Sequence, residues 1–395
     1  MARNGSQVAA NRGYAVHTVS DAKTIVHAWL AGAHLENAVE LGLPEVDDRY
    51  HIWRIPLVTV GGSRLGEVVI TARTGDVDEA RTTAPEVVAA RLEEHAGEVA
   101  TKPRRKRVEG YAGSALENSI FEGDAETVLD SLPNNAVDLV FTSPPYYNAR
   151  PEYSDYVTYD EYLDRVRGVI RACHRVLGEG RFFVMNISPV LLRRENRNTA
   201  SRRIAVPFDV HRLFIEEGYE FMEDIIWMKP EGAGWATNRG RRFAADRNPL
   251  QYKPVPVTEY VLVYRKKTDK LIDWNIRRHH DQDAVAASKI HGEYDTTNVW
   301  YIKPTNDRRH PAIFPVQLAE RVVRYYSFRG DVVLDPYAGI GTTGRAAATL
   351  GRRFAMIERD PEYVRCMLSD LSSWSEALST ESVHCVNISP EVDPK

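Results

Sequence analysis

The sequence predicts an α/β protein: a doubly wound, mostly parallel sheet covered by helices, preceded by a small α+β module. Three observations carry this. Beyond about residue 115, short apolar runs alternate with segments of helical period, the pattern of strands linked by covering helices. Two of those runs lead straight into Gly- or Pro-rich loops, and the carboxyl ends of strands are where open α/β sheets bind ligands. The run KPRRKR at residues 102–107 breaks any periodicity and divides the chain. With 395 residues, the chain is long enough for two domains, each with its own core.

Each element follows from its own pattern. A capped helix is expected from Ser20, with Ile25, Val26, Trp29 and Leu30 on one face. YHIWRIPLV near residue 50 and GEVVITA near residue 66 alternate as strands, and APEVVAARLEEHAGEVA is helical. A packing or dimerisation role is expected for this first part. Past the linker, strands are read in NSIFEGD, DLVF, RFFVMNIS, DIIWMK, EYVLVYRK, DVVLD and RFAMIE. The stretch TYDEYLDRVRGVIRACHRVL sets Tyr162, Val166, Val169, Ile170 and Val176 at helical spacing, and PVQLAERVVRYYS does so with Leu318, Val322 and Tyr325. Residues 231–309 are rich in Arg, Asn, His and Trp and read as extended loops with a hairpin.

Composition narrows the function classes. Lys plus Arg is 51 against 55 Asp plus Glu, a formal net charge of −4, so any polyanion must be met by local clusters of charge rather than by the whole surface. No apolar run approaches a membrane span and no secretory signal is visible, so a cytoplasmic location is expected. Cys173, Cys366 and Cys385 form no CxxC pair, which argues against a zinc site or a disulfide framework, and no metal is expected.

The first chemistry-bearing motif is DPYAGIGTTG, residues 335–344. Gly339 and Gly341 let the turn approach a ligand without a Cβ, and Thr342 and Thr343 open a helix whose free N–H groups face the same space. Glu358 ends the next strand, 17 residues after Gly341, a spacing that suits a carboxylate accepting from both ribose hydroxyls. The triphosphate-binding pattern GxxxxGK[ST] is absent from this turn. The second motif is TSPPYYN, residues 142–148. Pro144 and Pro145 stiffen the loop and remove two donors, leaving Ser143 and the Pro144 carbonyl as neighbouring acceptors beside the flat face of Tyr146.

TSPPYYN together with DPYAGIGTTG resembles the S-adenosylmethionine-dependent DNA amino-methyltransferases. The order of the motifs, target loop before cofactor loop with a basic region between, resembles their circularly permuted β class. The resemblance implies a Rossmann-like methyltransferase sheet and S-adenosylmethionine as cofactor. Ser143, Pro144, Pro145 and Tyr146 would form the catalytic loop. Asp124 would meet the cofactor's adenine amine, Asp335 its methionine amino group, Glu358 its ribose, and Pro336, Gly339, Gly341, Thr342 and Thr343 its backbone. HPAIFP, residues 310–315, resembles the segment lining the methionine end, which assigns Phe314 to the cofactor pocket.

On this reading residues 1–100 are an accessory module, 101–114 a basic linker, 115–370 the catalytic domain with a target-recognition region over about 231–309, and 371–395 a helix and tail. The partner is double-stranded DNA; a homodimer and a cognate restriction endonuclease stay open. Arg193, Arg194, Arg197, Arg202 and Arg203, then Arg239, Arg241 and Arg242, then Arg277, Arg278, His279 and His280 are the clusters expected to meet phosphate. The resemblance favours cytosine N4 as the target, because adenine enzymes of the family mostly have Asp at the head of this loop while Ser-Pro-Pro-Tyr is more typical of its N4-cytosine enzymes. Adenine N6, an RNA base, or a non-catalytic DNA-binding relative are the alternatives.

Overall fold

A computed structural model describes residues 14–47, 50–95, 113–147, 158–192, 202–231, 254, 256–292, 294–310, 313–376 and 378–388. Two compact units divide at residue 108. In the first, helix α1 (Val19–Gly32) opens on a capping box in which Thr18 Oγ1 takes the Asp21 N–H and the Asp21 carboxylate takes the Thr18 N–H. Ala22, Val26 and Leu30, one turn apart, are fully buried. They pack on a sheet of β1 (Glu40–Leu41), β2 (Glu45–Asp47), β3 (Ile52–Val58) and β4 (Arg64–Thr71), with β3 antiparallel to the other three. Helix α2 (Pro85–Glu94) adds Val88 to the same core. The unit has a core of its own; the two shortest strands had no pattern long enough to read.

The second unit is built on nine strands in the order β12-β10-β11-β7-β6-β13-β14-β5-β15. These are β5 (Ser119–Gly123), β6 (Val137–Thr142), β7 (Leu177–Ile187), β10 (Tyr219–Met228), β11 (Thr258–Lys266), β12 (Val299–Tyr301), β13 (Val332–Asp335), β14 (Arg353–Glu358) and β15 (His384–Ile388). A small ribbon pairs β8 (Val190–Leu192) with β9 (Arg202–Ile204). Every pair in the large sheet is parallel except the two that β11 makes with β7 and β10. All seven strands read from the sequence are present, and β13, late in the chain, lies at the centre beside β6. That placement is what a permuted motif order requires.

Helices cover both faces, which is why the strands read as continuous apolar runs rather than alternating ones. Val140 faces a core formed with α3 (Ala125–Ser131), α4 (Tyr159–Val176) and α5 (Val206–Glu216); Leu139 and Phe141 face the opposite core, with α8 (Val316–Tyr326), α9 (Thr342–Thr349) and α10 (Pro361–Trp374). In α4, Tyr162, Val166, Val169, Ile170 and Val176 are buried, the stripe the sequence predicted, and Cys173 is buried with them. Among the described residues no helix is long and apolar enough to cross a membrane.

Two boundary expectations are corrected. Residues 371–395 are not a helix and tail: α10 already begins at Pro361, and β15 extends the sheet beside β5. Within residues 231–309, the described residues hold more regular structure than extended loops with a hairpin. β11 lies within the sheet, β12 pairs with β10, and α6 (Ile272–Arg277) and α7 (Gln282–Ala287) follow β11.

Candidate active site

Because β6 and β13 are adjacent and parallel, the loops that leave their carboxyl ends stand side by side. Asp335 joins them. Its Oδ1 accepts from Thr142 Oγ1 at 2.6 Å and from the Tyr337 N–H at 3.0 Å, and its Oδ2 accepts from Thr343 Oγ1 at 2.6 Å. The residue is 1% exposed, and burial pushes its pKa up to about 6 against the pull of these three bonds. The Asp335 carboxylate, expected from the resemblance to meet the cofactor's amino group, is held by three donors of the chain itself, and these bonds tie the two loops together.

The glycine-rich turn is held just as firmly. Gly339 and Gly341 have φ of +55° and +83°, values that Cβ-bearing residues avoid. The Gly339 N–H donates to Glu358 Oε2 at 2.7 Å. A Cβ on Gly341 would stand 2.5 Å from the Trp374 ring, and one on Gly339 3.1 Å from the His310 imidazole. The small size of Gly341 thus serves the seating of α10 on the turn, a structural reason where a ligand approach was expected. Pro336 is buried, Thr343 is fully buried on Asp335, and Thr342 stays half-buried in the first turn of α9.

Around this turn stand the acceptors. Glu358, partly exposed at the end of β14, takes the Gly339 N–H on one oxygen and the Asp360 N–H, at 2.9 Å, on the other. Burial raises its pKa, with those backbone bonds opposing. Asp124 is exposed and caps α3, accepting from the Glu126 and Thr127 N–H groups. Since β5 pairs in parallel with β14, Asp124 and Glu358 emerge from neighbouring strand ends. The Phe314 ring packs on Phe141, centroids 5.0 Å apart, near the end of β6.

On the other side of Asp335, Ser143 and Tyr146 meet a polar cluster that the sequence reading missed. The Ser143 hydroxyl donates to Tyr146 Oη at 3.5 Å, and the Tyr146 hydroxyl donates to Glu259 Oε2 at 3.1 Å. Asn186 Nδ2 donates to the same Glu259 oxygen at 2.9 Å and lies 3.4 Å from both hydroxyl oxygens. Lys229 Nζ binds Glu259 Oε1 at 2.5 Å and sits 4.3 Å from the Trp227 ring centroid. Asn186 lies at the end of β7, Lys229 follows β10, and Glu259 stands at the start of β11. Because β11 runs against its neighbours, its start lies at the end of the sheet where the other strands finish. A polar residue closing an apolar strand was the available signal.

The family profile described as DNA methylase, of the N6/N4 type, matches residues 137–369. The chain belongs to this DNA methylase family. It is 28% identical over 269 residues to the Type II beta methyltransferase M.BslI of Bacillus sp. (strain NEB-606), covering 65% of this chain but 28% of that protein. It is 29% identical over 264 residues to the DNA adenine methyltransferase YhdJ of Escherichia coli (strain K12), covering 64% of this chain and 82% of YhdJ. The TTHA0409 protein of Thermus thermophilus, described as a candidate DNA modification methylase, superposes with a TM-score of 0.54 at 28% identity, covering 69% of this chain and all of its own. A structure of the same protein complexed with S-adenosyl-L-methionine gives 0.51 at 27% identity, over 69% of this chain and all of that one.

The site of this DNA methylase fits that cofactor by its chemistry. The turn over residues 335–343 carries no Lys or Arg, while the carboxylates of Asp124 and Glu358 stand beside it. Such a surface accepts from hydroxyls and amines and favours a cationic ligand; it does not suit a polyphosphate.

The expected phosphate clusters fare differently. Arg193, Arg194, Arg197, Arg239, Arg241, Arg242 and the run at residues 102–107 lie outside the described residues. Arg202 and Arg203 are exposed on β9. Arg277 and Arg278 are exposed but belong to a segment docked at the opposite end of the sheet, where Asn275 Nδ2 donates to the Gly180 carbonyl at 3.0 Å. His279, expected to meet phosphate, is instead buried: its Nε2 lies 3.2 Å from Asp331 Oδ1, the oxygen that also takes Arg181 at 3.0 Å. Trp300 is buried in the core.

Proposed function

We propose that this chain methylates an exocyclic amine of a base in double-stranded DNA, cytosine N4 in particular, using S-adenosylmethionine. The observation that carries this reading is the joint at Asp335, which sets the Ser143–Tyr146 loop directly beside the acceptor-lined glycine turn. S-adenosylmethionine, when bound, supplies an electrophilic methyl group. Glu358 is suited to accept from the ribose hydroxyls and Asp124 from the adenine amine; Pro336, Gly339, Gly341, Thr342, Thr343 and Phe314 shape the pocket around them. The YhdJ and M.BslI similarities support the class of reaction.

An exocyclic amine is a weak nucleophile because its lone pair is delocalised into the ring. Two acceptors, Ser143 Oγ and the Pro144 carbonyl, can engage its two hydrogens, so the nitrogen becomes tetrahedral and its lone pair turns toward the methyl carbon. The base must leave the duplex to reach this loop, at a cost of a few kcal/mol, and Tyr146 offers the face that holds it. Carbon-5 methylation needs a thiolate nucleophile. Cys173 is buried and burial raises its pKa, so this thiol is not one.

Cytosine is preferred because a loop opening with Ser143 resembles the family's N4-cytosine enzymes; the adenine reading draws on the likeness to YhdJ. The reading requires neither a homodimer nor a partner nuclease. Mass spectrometry of nucleosides from DNA incubated with the protein and S-adenosylmethionine tests it: N4-methylcytosine is expected. N6-methyladenine alone would overturn the base assignment, and no methylated nucleoside in DNA would overturn the function.

A further inference from the structure

We propose that Glu259 is a positioning residue that fixes the direction of a hydrogen-bond chain and so keeps Ser143 an acceptor toward the target amine. The inference rests on the methyl-transfer reading above. A hydroxyl is both donor and acceptor, and only its surroundings decide which role it presents to a ligand. A neutral Ser at this position would be ambiguous: facing an amine with two hydrogens, it must not spend its own proton there.

The geometry removes that ambiguity. An ionised carboxylate can only accept. Glu259, 4% exposed, therefore commits the Tyr146 proton at 3.1 Å. Tyr146 Oη is then left to accept, and it commits the Ser143 proton at 3.5 Å. Lys229 occupies the other carboxylate oxygen at 2.5 Å, which keeps the charge on Glu259 and leaves Oε2 for Tyr146 and Asn186. Asn186, 2% exposed, places one amide hydrogen on Glu259 and points the other between the two hydroxyl oxygens. Among the described residues, the Ser143 and Tyr146 hydroxyls and the Asn186 amide thus donate toward one another and Glu259, which leaves Ser143 Oγ to act as an acceptor toward the amine.

One atom shows that stability alone does not explain the arrangement. Asn186 Oδ1 is buried and has no hydrogen-bond partner among the described residues. An apolar strand end would avoid that cost of about 1–3 kcal/mol. The amide orientation is fixed, since its nitrogen must face the carboxylate. The strand order makes the cluster available: reversal of β11 delivers a carboxylate to the end of the sheet where the parallel strands β6 and β7 finish.

The test is a double-mutant cycle in the full chain, measuring tritium transfer from S-adenosylmethionine to DNA. Glu259→Gln supplies an amide that can donate to Tyr146 and reverse the chain, so kcat should fall at least tenfold while KM for DNA and Kd for S-adenosylmethionine stay within twofold. Glu259→Asp should recover part of the loss. In a Tyr146→Phe background, which breaks the chain, Glu259→Gln should add less than a twofold further loss. Wild-type kcat in Glu259→Gln, or a tenfold loss undiminished in the Tyr146→Phe background, overturns the inference and leaves the function standing. Should Glu259→Gln fail to fold through loss of its partner, Glu259→Gln with Lys229→Met removes the ion pair as a unit, and the same kcat loss is required of it. A wild-type protein that transfers no methyl group removes the function and this inference together.

Discussion

Replacing Asp335 by Asn should flatten the pH dependence of stability. Asp335 is buried and its pKa is raised from 3.8 to about 6. A group whose folded pKa lies above its unfolded one contributes stability that is fully present below pH 3.8 and is lost as the pH rises through 6. At 1.36 kcal/mol per pKa unit, the shift corresponds to about 3 kcal/mol over the whole range, roughly half of it lost between pH 5 and pH 7. The ionised carboxylate is therefore a net cost at neutral pH even with its three donors. Asn keeps the shape, can accept from Thr142 and Tyr337, and carries no charge to desolvate. Urea unfolding of wild type and Asp335→Asn, followed at pH 5 and pH 7, reads the difference directly: the wild type should lose about 1.5 kcal/mol relative to the variant on going to pH 7. Parallel pH profiles would refute the reasoning. Asp335→Ala is a harsher change, because two Thr hydroxyls and the Tyr337 N–H lose their acceptor; at about 1–3 kcal/mol per stranded buried donor it should compromise the fold itself.

Ser143→Ala should lower kcat at least tenfold while leaving calorimetric affinity for S-adenosylmethionine within twofold, because the lost acceptor acts at the amine in the transition state. Gly341→Ala should lower the melting temperature, since φ is +83° and the new methyl meets Trp374 at 2.5 Å; the cost should exceed about 1 kcal/mol. Removing both Arg277 and Arg278 should leave the salt dependence of DNA binding unchanged, as both belong to the segment docked at the far end of the sheet. A slope reduced by about one or two per log unit of salt would show that this end does touch DNA.

The sequence made the framework legible because burial on both faces turns a strand into an unmistakable apolar run, and both loops follow such runs directly. β15 escaped because its side chains are largely exposed on an edge, so VHCVNI carries no strong pattern. Asn186, Lys229 and Glu259 escaped for another reason: their meeting depends on the reversal of a single strand, and no local feature of EYVLVYRK announces its direction. His279 was misassigned because charge density in RRHH says nothing about which ring is paired, and the partner, Asp331, lies 52 residues away. That the missing Cβ of Gly341 also accommodates Trp374 was not legible, because the place of that ring depends on how α10 returns.

The central position of β13 also dictates a timetable for biosynthesis. Val140 on β6 pairs with Leu334, and the hydrogen bond from Thr142 to Asp335 spans 193 residues. At translation rates of about 5–20 residues per second, β6 would wait on the order of 10–40 s for its partner to be made. During that interval its Val140–Phe141 edge is unpaired on that side, and the sheet cannot close. The first unit has its own core and faces no such delay. A ribosome-stalled nascent chain ending before residue 332 should therefore hold a protease-resistant first unit and a protease-sensitive remainder, so the two loops acquire their relative placement in a single late step.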